Sequence, residues 1–252
     1  MRFDILTLFP EMFGPVLNNS MLAKAQEKDL LEINLINWRD YAQDKHSQVD
    51  DYPYGGGAGM VLKPEPVFRA IEDLELDDNT PVVLLTPQGQ QFKQDQAKEF
   101  ADYEERIVLL CGHYEGFDQR IREELVTHEI SIGDYVLTGG ELPAMVVIDA
   151  VIRMIPGVLG SQESAQEDSF YHNLLDFPQY TRPQEYQGLE VPSVLLSGNH
   201  AKIDEWRKKK SLEKTLIKRP DLLEDAELSK TEQKLLSEIK KEKKFQLIRE
   251  DF

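Results

Sequence analysis

The apolar positions of the first 155 residues fall into two rhythms. Short runs at Phe3–Phe9, Leu31–Asn37, Val82–Thr86, Arg106–Leu110 and His128–Ile132 predict strands. Val82–Thr86 and Arg106–Leu110 are almost unbroken, the pattern of a strand covered on both faces. Between the runs, apolar residues recur at helical spacing, which predicts helices over about Glu11–Lys28, Pro66–Leu74, Phe92–Tyr103, Phe117–Leu125 and Leu142–Met154. Strand and helix in alternation predict an α/β fold with a mostly parallel sheet.

The rhythm stops after Gly160. Ser161–Ser169 is polar and aperiodic, as in an exposed linker or mobile loop, and Pro178, Pro183 and Pro192 punctuate an irregular stretch beyond it. Ala201–Lys218 and Glu227–Glu250 then read as helices with mixed charges and sparse apolar positions. The predicted organisation is an α/β domain over 1–160, a linker over 161–170 and a small helical domain over 171–252.

Composition narrows the possibilities. The chain has 252 residues, 40% of them hydrophobic, which is enough for a core. A single cysteine, Cys111, excludes an intramolecular disulfide and a cysteine-rich zinc site. The five histidines show no ligand-like spacing, and no cluster places a metal. No apolar run approaches the ~18 residues of a membrane span. The start Met1-Arg2-Phe3-Asp4 puts an acid where a signal peptide needs basic and apolar residues. A cytoplasmic protein with no membrane partner is expected.

Charge is unevenly distributed within a formal total of −17. Residues 1–200 carry 14 basic and 34 acidic side chains, whereas residues 201–219 carry 8 and 3. The acidic bulk argues against indiscriminate nucleic-acid binding, and the island Arg207-Lys208-Lys209-Lys210 with Lys214, Lys218 and Arg219 offers one place for phosphates. A solvated helix face is the ordinary alternative.

Three glycine-bearing segments fall near predicted strand ends. Tyr54-Gly55-Gly56-Gly57-Ala58-Gly59-Met60 lacks the Gly-Lys-Ser/Thr of a P-loop and the third glycine of a dinucleotide fingerprint. It is either a flexible turn or a backbone that presses against a flat ligand. Cys111-Gly112-His113-Tyr114-Glu115-Gly116 follows a strand, where open α/β sheets bind ligands. There Tyr114 can stack, Glu115 can accept hydrogen bonds, and Cys111 reads as a buried residue rather than a thiolate nucleophile. Ser131 through Pro143 joins a strand end to a proline-marked helix start, and its glycines suit an adenine ring and a ribose. A turn or structural loop remains open for each.

Six collinear runs carry a resemblance. They are Asp51-Tyr52-Pro53-Tyr54-Gly55-Gly56-Gly57, Gly112-His113-Tyr114-Glu115-Gly116, Ser131–Pro143, Arg153–Gly160, Glu167-Asp168-Ser169-Phe170 and Tyr180-Thr181-Arg182-Pro183. Together they resemble the bacterial tRNA (guanine-N1)-methyltransferases, from the N-terminal strand to about Pro220. The resemblance implies a SPOUT-class α/β domain with a trefoil knot, a rare exception to the rules of chain connection. It implies methyl transfer from S-adenosylmethionine to N1 of the guanine just 3′ of the tRNA anticodon, nucleotide 37. It further implies a homodimer with shared active sites and a dependence on magnesium.

By the same motifs, the cofactor pocket comprises Thr86, Pro87, Gly112, Tyr114, Glu115, Ile132, Gly133, Asp134, Tyr135, Val136, Leu137, Gly139 and Gly140. Asp168 is the general base for the guanine N1 proton, and Arg153 stabilises the charge developing at O6. A desolvated site assembled when tRNA orders the linker is expected for Asp168. Tyr54, Gly59 and Glu115 are candidates for the guanine pocket; His46, Asp50, Lys208, Lys209 and Lys210 are candidates for other RNA contacts. A related knotted enzyme acting on another RNA base is the nearest rival. A non-catalytic binding module has no need of both Asp168 and Arg153, and a structural RNA-binding subunit fits the acidic first 200 residues poorly.

Overall fold

The computed structural model describes residues 1–103, 105–159 and 168–250, with side chains up to residue 242. The predicted linker therefore lies outside the described residues except for 168–170. The chain divides into two compact units, Met1–Gln162 and Glu163–Phe252.

The first unit is built on a five-stranded parallel sheet of β1 (Arg2–Thr7), β2 (Glu32–Asn37), β5 (Val82–Gln91), β6 (Arg106–Cys111) and β7 (His128–Ser131), in the order β2-β1-β6-β5-β7. A short antiparallel pair, β3 (Asp50–Asp51) and β4 (Val61–Leu62), carries the glycine loop between its strands. The unbroken apolar runs have the expected cause. Along β6, Ile107, Leu109 and Cys111 join one core cluster while Val108 and Leu110 join the other, so both faces are covered. α4 (Gln94–Asp102) and α6 (Glu141–Ile152) bury residues on the first face, and α3 (Pro64–Asp73) and α5 (Gln119–Glu124) on the second.

Three predicted elements need correction. The single helix over Glu11–Lys28 is a 3-10 turn at Pro10–Met12, then α1 (Gly14–Leu17) and α2 (Ser20–Glu27). Its continuity fails because Asn19 is extended and Ser20 adopts φ +57°. The strand predicted over Phe3–Phe9 stops at Thr7, where Thr7 Oγ1 accepts a hydrogen bond from Phe9 N. The strand predicted to stop at Thr86 runs on to Gln91, with its pairing to β7 shifting register between Leu85 and Gln90. Gly89 makes that possible: a Cβ there would lie 2.4 Å from the carbonyl carbon of Glu129.

At the N-terminal end of the sheet, Asp4 is fully buried. Arg2 and Arg106 both donate to it, and Asn34 Nδ2 donates at 2.6 Å. Burial pushes this carboxyl up, but the donors from Arg2, Arg106 and Asn34 together outweigh it and hold the group below the usual range. A depressed folded-state value means stability present above the unfolded value of about 3.9 and lost as pH falls through the folded one. Asp4→Ala is expected to cost about 3–5 kcal/mol, or roughly 10 °C in melting temperature, by leaving two arginines without their buried partner. It should also flatten the acid limb of stability below about pH 4. Thermal melts of both proteins from pH 3 to pH 7 check this.

The second unit packs α7 (His200–Lys218), α8 (Leu222–Asp225) and α9 (Lys230–Glu250) around Leu212, Leu235 and Ile239. The segment before α7 is tied to it by a fully buried threonine: Thr215 Oγ1 accepts from Leu175 N at 2.9 Å. Within the punctuated stretch, β8 (Glu185–Tyr186) and β9 (Leu189–Glu190) form a hairpin that turns through Gln187 and Gly188, both at positive φ.

Candidate active site

β5 lies between β6 and β7, so its irregular stretch after Leu85 meets the segments that leave the carboxyl ends of β6 and β7. Between them opens a cavity of about 270 Å³. Its lining includes Thr86 and Pro87 along β5, Gly112, Tyr114 and Glu115 after β6, and Ile132, Gly133, Tyr135, Val136, Leu137, Gly139 and Gly140 after β7. Of the residues predicted for a cofactor, Asp134 alone is not part of this lining.

The walls hold their shape through close backbone packing. Gly140 N donates to Gly112 O at 3.0 Å, and His113 bridges to Gly139. A Cβ on Gly140 would stand 2.6 Å from the Cα of Cys111, so no other residue fits. Tyr114 sits at φ +59°, an uncommon setting for an aromatic residue, and is 53% exposed at the rim. On the far side Arg122 donates to Glu129 at 2.7 Å and to Gln88 at 2.6 Å. Cys111, next to the cavity, is fully buried; burial pushes its thiol well above the ordinary range and the nearby Glu141 charge adds to this. Such a thiol is no nucleophile.

The glycine loop reaches the same place. Glu115 N donates to Met60 O at 3.0 Å, and a Cβ on Gly59 would fall 2.4 Å from Glu115 Oε1. Gly59 and Glu115 therefore touch, while Tyr54 of the same loop is fully exposed. His46 and Asp50 precede this loop in the chain. His46 is exposed, its N–H bonded to Asp44 Oδ1 at 2.9 Å, and Asp50 pairs with Leu62 in the β3–β4 ladder.

Arg153 caps the C-terminus of α6 in the first unit and is half-buried. Asp168 belongs to the second unit, where it is exposed and lines a separate cavity of about 480 Å³ with His172, Asp176, Phe177, Arg207 and Lys208. The basic island lies on α7. Several of its cations face acids: Lys209 meets Glu242 at 3.3 Å, Lys210 meets Glu213 at 2.6 Å and Lys214 meets Asp176 at 2.5 Å. The Lys214 hydrogen bond is the main reason the Asp176 carboxyl sits below its usual range. Among the described residues, no group of three or more His, Cys, Asp or Glu could hold a metal ion. No helix of the described residues is long and apolar enough to cross a membrane.

Sequence reasoning missed one feature. Glu141, the first residue of α6, is 1% exposed and lies behind the cavity wall against His113 and Thr7. An acid between two glycines and a markedly apolar helix was the available signal.

An open parallel sheet with a glycine-walled cavity toward the carboxyl ends of its strands is a layout in which α/β enzymes bind their ligands. Residues 1–225 match the family described as tRNA (Guanine-1)-methyltransferase TrmD, and the chain belongs to that family. A tRNA (guanine-N(1)-)-methyltransferase of Staphylococcus carnosus is 59% identical over 244 residues, 97% of this chain and 99% of the relative. One from Staphylococcus aureus strain Newman is 59% identical over 240 residues, 95% and 98% of the two chains.

Proposed function

We propose that this protein transfers a methyl group from S-adenosylmethionine to N1 of the guanine immediately 3′ of the anticodon, nucleotide 37 of tRNA. The observation that carries the reading is the glycine-walled cavity at the ends of β5, β6 and β7, in a chain that matches the family over residues 1–225. The cavity suits the donor in shape and chemistry. Gly139 and Gly140 let this wall pack directly on His113 and on the backbone at the end of β6, and the backbone of Ile132–Leu137 offers donors and acceptors to an adenine and a ribose. When bound, the donor supplies an electrophilic methyl on sulfonium.

The residues of the chain supply the rest. Guanine N1 carries a hydrogen at neutral pH, so a base must take it as the N1–C bond forms and the S–C bond breaks. Asp168 takes this proton, and the Arg153 guanidinium stabilises the charge that spreads to O6. Glu115, in contact with Gly59, accepts from the guanine edge after the base leaves its stack at a cost of a few kcal/mol. No magnesium ion is placed.

The same reading includes a knot and a dimer. In support of the knot, the segment before α6 returns against Gly112 and His113 at the end of β6. In support of a second copy, Leu142 and Val146 of α6 are 52% and 47% exposed and lie on one stripe with Arg153, at helical spacing. A partner on that stripe would place Arg153 at the interface, as a shared site demands.

Phosphates would displace acids already paired with the island. Neutralising Lys208, Lys209 and Lys210 together should flatten the slope of log affinity against log salt by about 2–3 for tRNA. An unchanged slope removes the island from the interface. The activity itself is tested with labelled S-adenosylmethionine and transcripts that carry guanine or adenine 3′ of the anticodon. Label is expected only in the guanine transcript; equal incorporation into both refutes the reading.

A further inference from the structure

Glu141 is a charged side chain in the core, 1% exposed, next to a cavity it does not line. A buried carboxylate costs free energy unless its partners compensate, and burying one is seldom the route to stability. Its partners here are specific. Thr7 Oγ1 donates to Glu141 Oε1 at 2.6 Å, and His113 Nε2 lies 2.8 Å from Oε2. Thr7 is itself fully buried, and its oxygen accepts from Phe9 N at 2.9 Å, which directs the hydroxyl hydrogen to the carboxylate. An ionised carboxylate only accepts, so the bond fixes the hydrogen on His113 Nε2. The His113 ring also packs edge-on against Phe9, with centroids 4.8 Å apart.

This network joins the two walls of the cavity. His113 follows β6 and lies between Gly112 and Tyr114; Glu141 follows Gly139 and Gly140 at the head of α6. A Cβ on Gly139 would stand 2.3 Å from the His113 ring and 2.5 Å from Glu141 Oε2, so the pair fills the space that glycine vacates. We propose that Glu141, acting through His113 and Thr7, is a positioning residue that holds the Gly112–Tyr114 and Gly139–Gly140 walls at the spacing the methyl donor needs. The inference rests on the reading of the cavity as the donor site.

Glu141→Gln keeps the volume and offers an oxygen to Thr7 and an amide to the ring, so folding survives. It exchanges a charge-assisted bond for a neutral one about half as strong and forces His113 Nε2 to accept. The expected result is donor affinity about tenfold weaker and a raised KM for the donor, with kcat at saturation and melting temperature little changed. Thr7→Val should weaken affinity likewise, and Thr7→Ser, which restores the hydroxyl, should recover it.

The measurement is calorimetric binding of S-adenosylhomocysteine to the full chain, wild type and each variant, with melts of the same samples. A residue serving stability alone would lower the melting temperature and leave the dissociation constant of the folded protein unmoved. Wild-type binding with unchanged affinity in Glu141→Gln and Thr7→Val overturns the positioning role and leaves the donor cavity standing. A wild type that fails to bind the probe overturns the donor cavity, and the positioning role with it.

Discussion

Replacing Asp168 with alanine should lower the rate of methyl transfer about 10²–10⁴-fold while leaving S-adenosylhomocysteine binding intact. The two observables separate because Asp168 belongs to the second unit, whereas the glycine-walled cavity is built wholly from the first. Without the carboxylate the N1 proton must pass to water or hydroxide, so the residual rate should climb more steeply with pH than that of the wild type. Single-turnover assays with saturating tRNA from pH 6 to pH 9 give both numbers. Near-normal turnover in Asp168→Ala would show that another group takes the proton. Arg153→Ala should act on the same step, since the charge at O6 develops only as N1 is deprotonated.

The second large effect is expected at Gly140. A methyl group there would meet Cys111 Cα at 2.6 Å and Gly112 N at 3.0 Å, and these are backbone atoms at the end of a central strand that cannot swing aside. In Gly140→Ala the head of α6 must move off β6, breaking the Gly140 N to Gly112 O bond and opening the cavity wall. Overpacking of this kind costs about 1–3 kcal/mol. Donor affinity should fall by at least tenfold, and the melting temperature should fall with it. Gly116→Ala is the control: it lines the same cavity, yet a Cβ there meets nothing within 4 Å. Its φ of +106° still strains any side chain, so a modest loss of stability without the affinity loss is expected. Equal affinity losses in the two variants would mean that strain, not the close approach at Gly140, governs the site.

How much of this arrangement is legible in the sequence depends on distance along the chain. The run Arg106–Leu110 declares a central strand, which extends to Cys111, because every position in it is buried or nearly so, one face and then the other. The glycines at 139 and 140 mark a close-approach segment because only missing side chains allow such packing. The continuous helix expected over Glu11–Lys28 fails because apolar spacing continues through Asn18 and Asn19, where local backbone geometry ends it. The buried ion cluster at Asp4 draws on Arg106, and Glu141 draws on Thr7, partners 102 and 134 positions away. No local pattern reports contacts at that range. His113 is visible in the sequence as part of the Gly112–Gly116 run, and its tie to Glu141 needs the fold. Lys209 and Lys214 read as an open basic surface, whereas Glu242 of α9 and Asp176 of the segment before α7 meet them only in the fold; Lys210 pairs locally, with Glu213 three positions on.

The decisive observable is which atom of the guanine receives the methyl group. Wild-type enzyme, S-adenosylmethionine and a tRNA transcript with guanine after the anticodon should give, on digestion to nucleosides and mass spectrometry against standards, 1-methylguanosine as the one new product. Methyl found on N7 or on the exocyclic N2, neither of which requires loss of the N1 proton, would contradict the assignment of Asp168 and the function built upon it.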